Sequence, residues 1–330
     1  MDLLRLPRRC LELVFKEPAF QDPQTLFLLA TCSKLSKHLV QTYNTLTARI
    51  EVDIGFRKAI ICHQRDRYFY LVRVQNPKKA VAQLLWNNNV GDTVMRFSPF
   101  GPCLYSYSSD TLEGLIFYGN LACEIFHCDI EQLSLGCRIK HNYKKAIDWI
   151  NNRQESVNTV YAHFNSKNDY GTGYLLHNIN ATQSLSLLVK PKDPEIPWDL
   201  QHLRTTCIHI SHAHWITRDH LLAMDCEYLL LEGSRLRSED LNAFLRQWCD
   251  GAYLQLKEFR VVLENGRLDF DEILEGLDVV EGHGEEVDFR SYNGLPNHLH
   301  INYSIQRHVD GTKASIEGSN GTKQFWMIII

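Results

Sequence analysis

The spacing of apolar residues along the chain predicts helices first, then strands. From residue 3 to residue 40, apolar positions recur at the 3.6-residue period of a helix. They include Leu11, Val14, Phe15, Leu26 and Leu29. The Asp22-Pro23 pair is a typical helix start, with an N-cap followed by proline in the first turn. The pattern predicts three short helices, which bury little core alone and need a partner surface from this chain or from another protein.

From residue 49 the apolar period changes to two, which is typical of strands. Strands are predicted at residues 50–54, 58–63, 68–74, 94–97, 115–118 and 157–164, and a helix at residues 141–152. Clusters of proline and glycine predict loops at residues 98–102 and at Asp169–Gly173.

Three strand–loop–helix units of similar pattern follow in the block at about residues 200–280. The positions that coincide when the units are superposed are Ile216, Leu236 and Leu268, then Asp219, Glu239 and Asp271, then Leu221, Leu241 and Ile273. One such unit cannot bury its own apolar face, so we expect the units to stack and their strands to be parallel. The acidic set lies at the helix starts, where carboxylates favour the helix dipole, so we interpret these residues as caps rather than catalytic acids.

The C-terminal part of the chain returns to strands. Asp310-Gly311 and Asn320-Gly321 predict turns of closing β-hairpins at about residues 298–330. The sequence as a whole therefore predicts an α+β fold. A small three-helix module at residues 1–42 precedes a mixed domain at residues 43–330 that contains leucine-rich-repeat-like units and β-hairpins.

The helical module resembles an F-box. The resemblance is carried by Leu6-Pro7, Leu11, Val14, Asp22-Pro23-x-x-Leu26 and Leu28-Leu29-x-x-Cys32-Ser33-Lys34. An F-box implies docking on a Skp-type adaptor and, through it, on a cullin ubiquitin ligase. The adaptor-binding residues that the resemblance implies are Leu4, Leu6, Pro7, Leu11, Val14, Leu26 and Leu29.

The repeat block and the tail resemble the type 2 F-box-associated domain of nematode F-box proteins. The matching segments are Glu227–Leu231, Leu241-Asn242-x-Phe244-Leu245-x-x-Trp248, Leu256–Phe259 and the tail Arg307–Ile316. The joint resemblance implies a non-catalytic substrate-recognition subunit of a Skp–cullin–F-box ubiquitin ligase, whose C-terminal domain binds a target protein. Trp198, in a connection that contains three prolines, is the candidate for target contact.

Composition excludes some other classes of function. The chain has 330 residues, a formal net charge of −4 and 44% hydrophobic residues, which argues against a strongly basic nucleic-acid binder. No apolar run is long enough to cross a membrane, and charges interrupt the apolar N-terminus, so we expect a cytoplasmic or nuclear protein without a signal peptide. Ten cysteines without a CxxC pair predict free buried thiols in a reducing compartment.

A histidine cluster and a cysteine pair support the alternative hypothesis that the protein is an enzyme. The first contains His209, His212, His214 and His220, with His212 and His214 expected on one strand face as a metal pair that lacks a third ligand. The second is Cys123-x4-Cys128, whose apolar flanks favour buried structural cysteines over a reactive thiol at Cys128. Neither cluster matches a known catalytic motif. We therefore predict no catalytic residue, no metal and no cofactor, and retain a metal- or thiol-dependent enzyme as the alternative.

Overall fold

The computed structural model of the chain describes residues 7–17, 22–44, 46–64, 67–76, 93–98, 101–136, 143–164, 169–191, 204–282, 284–292 and 294–330. The chain divides into two compact units, Met1–Val157 and Asn158–Ile330. Both units contain helices and strands, so the mixed α+β class is confirmed. Among the described residues, no helix has both the length and the apolar character needed to span a membrane.

The first unit combines three short helices with a mixed sheet and two longer helices. Its helices are α1 (Arg8–Lys16), α2 (Pro23–Cys32), α3 (Lys34–Tyr43), α4 (Thr111–Phe126) and α5 (Tyr143–Arg153). Its strands are β1 (Arg49–Asp53), β2 (Ala59–Gln64), β3 (Arg67–Gln75), β4 (Thr93–Ser98), β5 (Gly101–Tyr107) and β6 (Ile130–Leu135). They lie in the order β6-β1-β2-β3-β5-β4, with β1 antiparallel to β2 and parallel to β6.

Side-chain caps define where α2 and α3 begin. The Asp22 carboxylate accepts the N–H of Thr25 at 2.7 Å, and the Ser33 hydroxyl accepts the N–H of Ser36 at 3.0 Å. Each cap satisfies one of the backbone donors that a helix start leaves unpaired. The helix start predicted at Asp22-Pro23 is confirmed.

Residues 115–118, predicted as a strand, lie instead in the middle of α4. The Asp110 carboxylate caps this helix by accepting the N–H groups of Leu112 and Glu113 at 2.9 and 3.3 Å. A four-residue apolar run is compatible with a strand or a helix. The cap before it and the buried helical face that continues to Phe126 decide for the helix.

The second unit interleaves strands with helices in its first part and ends in six consecutive strands. Its helices are α6 (Asp169–Asn178), α7 (Arg218–Ala223), α8 (Ser238–Cys249) and α9 (Phe270–Ile273). Its first strands are β7 (Val157–Phe164), β8 (Ala181–Val189), β9 (Cys207–Ser211), β10 (Tyr228–Ser234) and β11 (Glu258–Leu263). Its last strands are β12 (Val279–Glu281), β13 (Glu286–Arg290), β14 (Pro296–His300), β15 (Tyr303–Gln306), β16 (Lys313–Glu317) and β17 (Gln324–Ile329).

The main sheet of the second unit has the order β7-β8-β9-β10-β11-β17-β16-β15-β12. The strands from β8 to β11 are parallel neighbours, and the strands from β11 through β17 to β12 pair antiparallel. A separate antiparallel hairpin is formed by β13 and β14. The parallel strands predicted for the repeat block are thus confirmed, whereas its likeness to leucine-rich repeats stays a prediction.

Equivalent positions of the three repeat units have equivalent burial. Ile216, Leu236 and Leu268 are all buried, and so are Leu221, Leu241 and Ile273. The acidic residues lie in the first turns of α7, α8 and α9 as predicted. However, the side chains that hydrogen-bond to the backbone at these helix starts are those of Thr217, Asp240 and Asp269.

The loop predicted at Asp169–Gly173 is wrong, because these residues form the first half of α6. Glycine disfavours a helix interior by about 1 kcal/mol relative to alanine. Here Thr172, Leu175 and Leu176 are fully buried, and tertiary packing outweighs the low helix propensity of the two glycines. The closing hairpins are confirmed, and the apolar strand β17 is paired on both edges, by β11 and β16.

Candidate protein-binding surfaces

The structure divides the predicted adaptor-binding residues into buried and accessible ones. Leu4 and Leu6 lie outside the described residues. Leu11 and Leu26 are buried inside the first unit, Val14 and Leu29 are half-buried, and Pro7 is exposed where α1 begins. Sequence spacing could not separate these groups, because a helical face has the same pattern whether it packs on its own chain or on a partner. The adaptor contact itself stays a prediction.

Two exposed leucines were not among those predicted contacts. Leu13 on α1 is 65% exposed, and Leu35 near the start of α3 is also exposed. On the buried side of α1, Phe15 stacks on Tyr43 with ring centroids 5.7 Å apart. The short helices therefore pack one apolar side within the unit and present Pro7 and these leucines to solvent.

Helix α3 is held on the C-terminal end of α4. Lys37 forms an ion pair with Glu124, and the side-chain amide of Asn44 donates to the carbonyl of Ile125 at 3.0 Å. The His127 ring donates to the carbonyl oxygen of Gln41 at 2.7 Å. At the other side of the helical group, the Gln24 amide donates to the carbonyl oxygen of Tyr70 on β3 at 3.0 Å. The first unit thus supplies part of the partner surface that the three helices need.

The parallel sheet of the second unit has one face packed on helices. Side chains that point to this face, such as Ile208, Leu229 and Phe259, are fully buried. Phe244 of α8 lies against Phe259, with ring centroids 4.4 Å apart. Successive residues of a strand point to opposite faces, so the alternate positions of β8, β9 and β10 form the other face.

We call this other side the open face and define it by Ser186, Leu188, His209, Ser211, Glu232 and Tyr292. The strand register places Ser186 beside His209, and Ser211 between Leu188 and Glu232. Leu188, Glu232 and Tyr292 are exposed, and the other three side chains are half-buried. The open face therefore has an accessible aliphatic group, aromatic ring and carboxylate, next to Leu230, which is buried beside His209 on the same face.

The hairpin formed by β13 and β14 supplies Tyr292. Beside Tyr292, Ser291 donates a 2.8 Å hydrogen bond to the buried carboxyl of Glu258, which also accepts the Trp326 indole N–H at 3.1 Å. The Tyr292 ring lies 6.3 Å from the His209 ring. Burial raises the pKa of Tyr292, with Cys207, Tyr161, Glu232 and Glu258 adding to the effect. The turn is thus fixed against the sheet beside the open face.

Three residues of the open face have the composition of a hydrolytic triad, but not its geometry. Ser211 Oγ donates to Glu232 Oε2 at 3.0 Å, and His209 Nε2 lies 3.4 Å from the same oxygen and 3.5 Å from Ser211 Oγ. A catalytic histidine binds the acid through one ring nitrogen and takes the serine proton through the other. Here the same nitrogen, His209 Nε2, faces both Ser211 and Glu232. The three side chains therefore form a polar surface contact and not a proton relay.

The remaining histidines of the predicted cluster separate in the structure. Strand β9 ends at Ser211, and His212 adopts a left-handed conformation, so the expectation that His212 and His214 share a strand face is wrong. His220 lies in the capping box of α7, where its ring accepts the N–H of Thr217 at 3.3 Å. Among the described residues, no group of three or more histidine, cysteine or acidic side chains has the arrangement of a metal site.

The cysteine cluster lies at the end of α4. Cys123 is buried, as predicted, and Cys128 is half-buried. The predicted free thiols are found inside the fold at Cys62, Cys207, Cys226 and Cys249 too, whereas Cys10 and Cys32 are exposed. The histidine between the two clustered cysteines, His127, contacts the Gln41 carbonyl oxygen. Trp198, the predicted target contact, lies outside the described residues.

Residues 199–261 match the F-box associated family. The matched segment contains β9, α7, β10, α8 and most of β11, and therefore the strands that carry His209, Ser211 and Glu232. The predicted resemblance of the repeat block to an F-box-associated domain is confirmed over this segment. The match lies outside residues 1–42, so the F-box itself stays a prediction.

Two relatives from Caenorhabditis elegans are similar to parts of the chain. The Skn-1 dependent zygotic transcript 15 protein is 36% identical over 108 residues, which are 32% of this chain and 30% of the relative. The E3 ubiquitin-protein ligase hecw-1 is 33% identical over 87 residues, which are 26% of this chain and 7% of the relative. The chain thus spans less than a third of the length of either relative. No solved structure matches the chain.

Proposed function

We propose that the chain is a substrate-recognition subunit of a Skp–cullin–F-box ubiquitin ligase. In this role α1–α3 dock on a Skp-type adaptor, and the open face of the second unit binds a target protein. The observation that carries the proposal is the match of residues 199–261 to the F-box associated family, because this segment contains β9 and β10, two of the three parallel strands of the open face.

The accessible side of the short helices is the candidate surface for the adaptor contact. Leu11 and Leu26 already pack inside the unit, so they support the fold of the helices instead of touching a partner. Pro7 is exposed where α1 begins and Leu13 is exposed on α1, and burying exposed apolar surface against a partner is favourable. We therefore assign the adaptor contact to the side of α1 that carries Leu13.

In the second unit, the face of the parallel strands that helices do not cover is the candidate surface for the target contact. Helices bury one face of the parallel strands, while Leu188, Glu232 and Tyr292 stay accessible on the other. Stacked strand–helix units commonly present an extended strand face to partners. Tyrosine is enriched among the residues that dominate binding energy, so Tyr292 is the central candidate on this face.

Such a subunit acts by proximity and needs no catalytic group of its own. It holds the target near a charged ubiquitin-conjugating enzyme, which raises the effective concentration of target lysines. The polar contact of Ser211, His209 and Glu232 fits this role, because these side chains offer hydrogen-bond partners without forming a proton relay.

The test compares two leucines of equal exposure in a co-purification with a purified Skp-type adaptor. Leu13 is 65% exposed and Leu254, in a turn of the second unit, is 63% exposed. The unchanged chain and Leu254→Arg are expected to retain the adaptor, and Leu13→Arg to lose it. Failure of the unchanged chain to bind the adaptor contradicts the proposed function. Equal retention by both variants contradicts the assignment to α1.

A further inference from the structure

Two cysteines meet where α4 ends. Cys123 lies in the last turn of the helix and Cys128 lies two residues beyond it. The residue before Cys128 is His127, in a left-handed conformation with φ 52° and ψ 45°. The N–H of Cys128 donates to the carbonyl oxygen of Cys123 at 3.2 Å. This six-to-one hydrogen bond belongs to the Schellman type of helix end, which is frequently accompanied by a side-chain contact between the two bonded residues. Here the two thiols are joined by a side-chain hydrogen bond.

The contact joins two thiols of different acidity. The hydrogen bond from Cys123 lowers the pKa of the Cys128 thiol, while the same hydrogen bond, together with burial, raises the pKa of Cys123. The Arg153 guanidinium also favours the thiolate at both sulfurs. The thiolate is the form of cysteine that reacts with oxidants, so Cys128 is the sulfur that reacts first.

We propose that Cys123 and Cys128 are a site of reversible disulfide formation, with a peroxide as the oxidant. The thiolate of Cys128 attacks one peroxide oxygen, the O–O bond breaks, and one water leaves after proton uptake. The sulfenic acid so formed is attacked by the sulfur of Cys123, which releases its proton and the second water. Two thiols and one hydrogen peroxide thus yield one disulfide and two waters.

The loop that this disulfide closes is the part of α4 that holds α3. Glu124, Ile125 and His127 lie between the two cysteines, and they form the ion pair and the hydrogen bonds to α3 described above. A crosslink across these residues restricts the opening of the helix end. Oxidation therefore tightens the attachment of the N-terminal helices to the rest of the first unit.

Cys62 is the rival partner for Cys128. It lies on β2, close enough for its charge to disfavour the Cys128 thiolate. However, burial raises the pKa of Cys62 to about 12, and its side chain is fully buried. Because the backbone hydrogen bond from Cys128 joins it to Cys123, whereas Cys62 lies on a separate strand, we assign the disulfide to the Cys123 pair.

Glu124 lies between the two cysteines, so cleavage after glutamate separates them into different peptides unless a disulfide joins them. Cleavage after glutamate places Cys123 in the peptide Gly114–Glu124, Cys128 in Ile125–Glu131, and Cys62 together with Cys103 in Val52–Glu113. The full chain is treated with hydrogen peroxide, its free thiols are blocked before unfolding, and the peptides are analysed by mass spectrometry with and without reductant. The expected result is a species that joins Gly114–Glu124 to Ile125–Glu131 and separates on reduction.

Two variants separate the candidate partners. Cys62→Ser is expected to keep the linked species, and Cys123→Ser to abolish it and leave a sulfenic acid on Cys128 that dimedone traps. Circular dichroism checks that each variant is folded. Whether peroxide links Cys123 to Cys128 is decided by the unchanged chain alone. The proposal is overturned if peroxide leaves the two peptides separate in the unchanged chain, or if Cys128 is joined to Val52–Glu113.

Discussion

Glu258 on β11 and Ser291, the residue after β13, are joined by a buried hydrogen bond of 2.8 Å. This bond ties the β13–β14 hairpin to the parallel sheet beside the open face. The Trp326 indole is the second donor to the same carboxyl group, at 3.1 Å. Because the carboxyl group is buried, each lost donor leaves an acceptor that water does not readily satisfy.

Replacing Ser291 with alanine is expected to lower the free energy of unfolding by about 1–3 kcal/mol, the range for leaving a buried acceptor without its partner. Urea unfolding followed by circular dichroism measures the change. Ser319→Ala, at an exposed serine, is the matched control and is expected to have little effect. Equal stability of the two variants contradicts a structural role for the Glu258 contact.

The repeat block gives a second stability prediction. Leu241 on α8 is fully buried, at the position equivalent to Leu221 on α7 and Ile273 on α9. Replacing Leu241 with alanine leaves a cavity and is expected to destabilise the protein by about 2–5 kcal/mol. Leu254→Ala, at a leucine that is 63% exposed, is expected to change stability by less than about 0.5 kcal/mol. Equal unfolding midpoints in urea contradict the assigned packing.

The buried carboxyl group of Asp53, at the end of β1, is expected to make the free energy of unfolding depend on pH. Burial raises the pKa of its carboxyl group, although the backbone N–H groups of Arg57 and Phe56 donate hydrogen bonds to it. The folded state therefore binds this proton more tightly than the unfolded chain. Protonated Asp53 therefore contributes to the free energy of unfolding below pH 3.8, the ordinary pKa. This contribution is lost as the pH rises through the higher pKa of the folded state.

Asp53→Asn keeps the acceptor oxygen and removes the charge. Its free energy of unfolding is expected to match that of the unchanged chain below pH 3.8 and to exceed it at neutral pH. Urea unfolding across this pH range measures the difference, with Asp225→Asn at an exposed carboxylate as the control. A difference that is constant with pH, or that favours aspartate at neutral pH, contradicts this assignment.

Periodicity was informative where local pattern and tertiary packing agree. The superposed repeat positions are equally buried, and the Asp310-Gly311 and Asn320-Gly321 turns join paired strands. The pattern was misleading in α4 and α6, where short apolar runs or glycines are compatible with more than one structure and the cap or the packing decides.

The candidate surfaces were harder to predict. Tyr292 reaches His209 because of strand order and a hairpin contact, and neither can be inferred from spacing along the chain. Leu11 and Leu13 are both apolar residues of one helix, yet the first is buried and the second is 65% exposed. Which side of an amphipathic helix stays free depends on what its own chain places against it, here the other short helices and the sheet.

The target-binding role of the open face leads to the last prediction. Tyr292 is 40% exposed beside His209, and Tyr68 on β3 of the first unit is 52% exposed. In affinity purifications from the native cells, Tyr292→Ala is expected to lose a target protein while retaining the Skp-type adaptor. A dominant interface residue contributes at least about 2 kcal/mol, so binding of the identified target should weaken roughly 30-fold.

Tyr68→Ala is the control for the loss of an exposed aromatic ring and is expected to retain both partners. The identified target is then tested in a reconstituted ubiquitination reaction, where Tyr292→Ala is expected to slow its modification while adaptor binding is unchanged. If both alanine variants retain the same proteins, the open face is not the target-binding surface. If both lose the target, the effect does not depend on the open face and the assignment to Tyr292 fails.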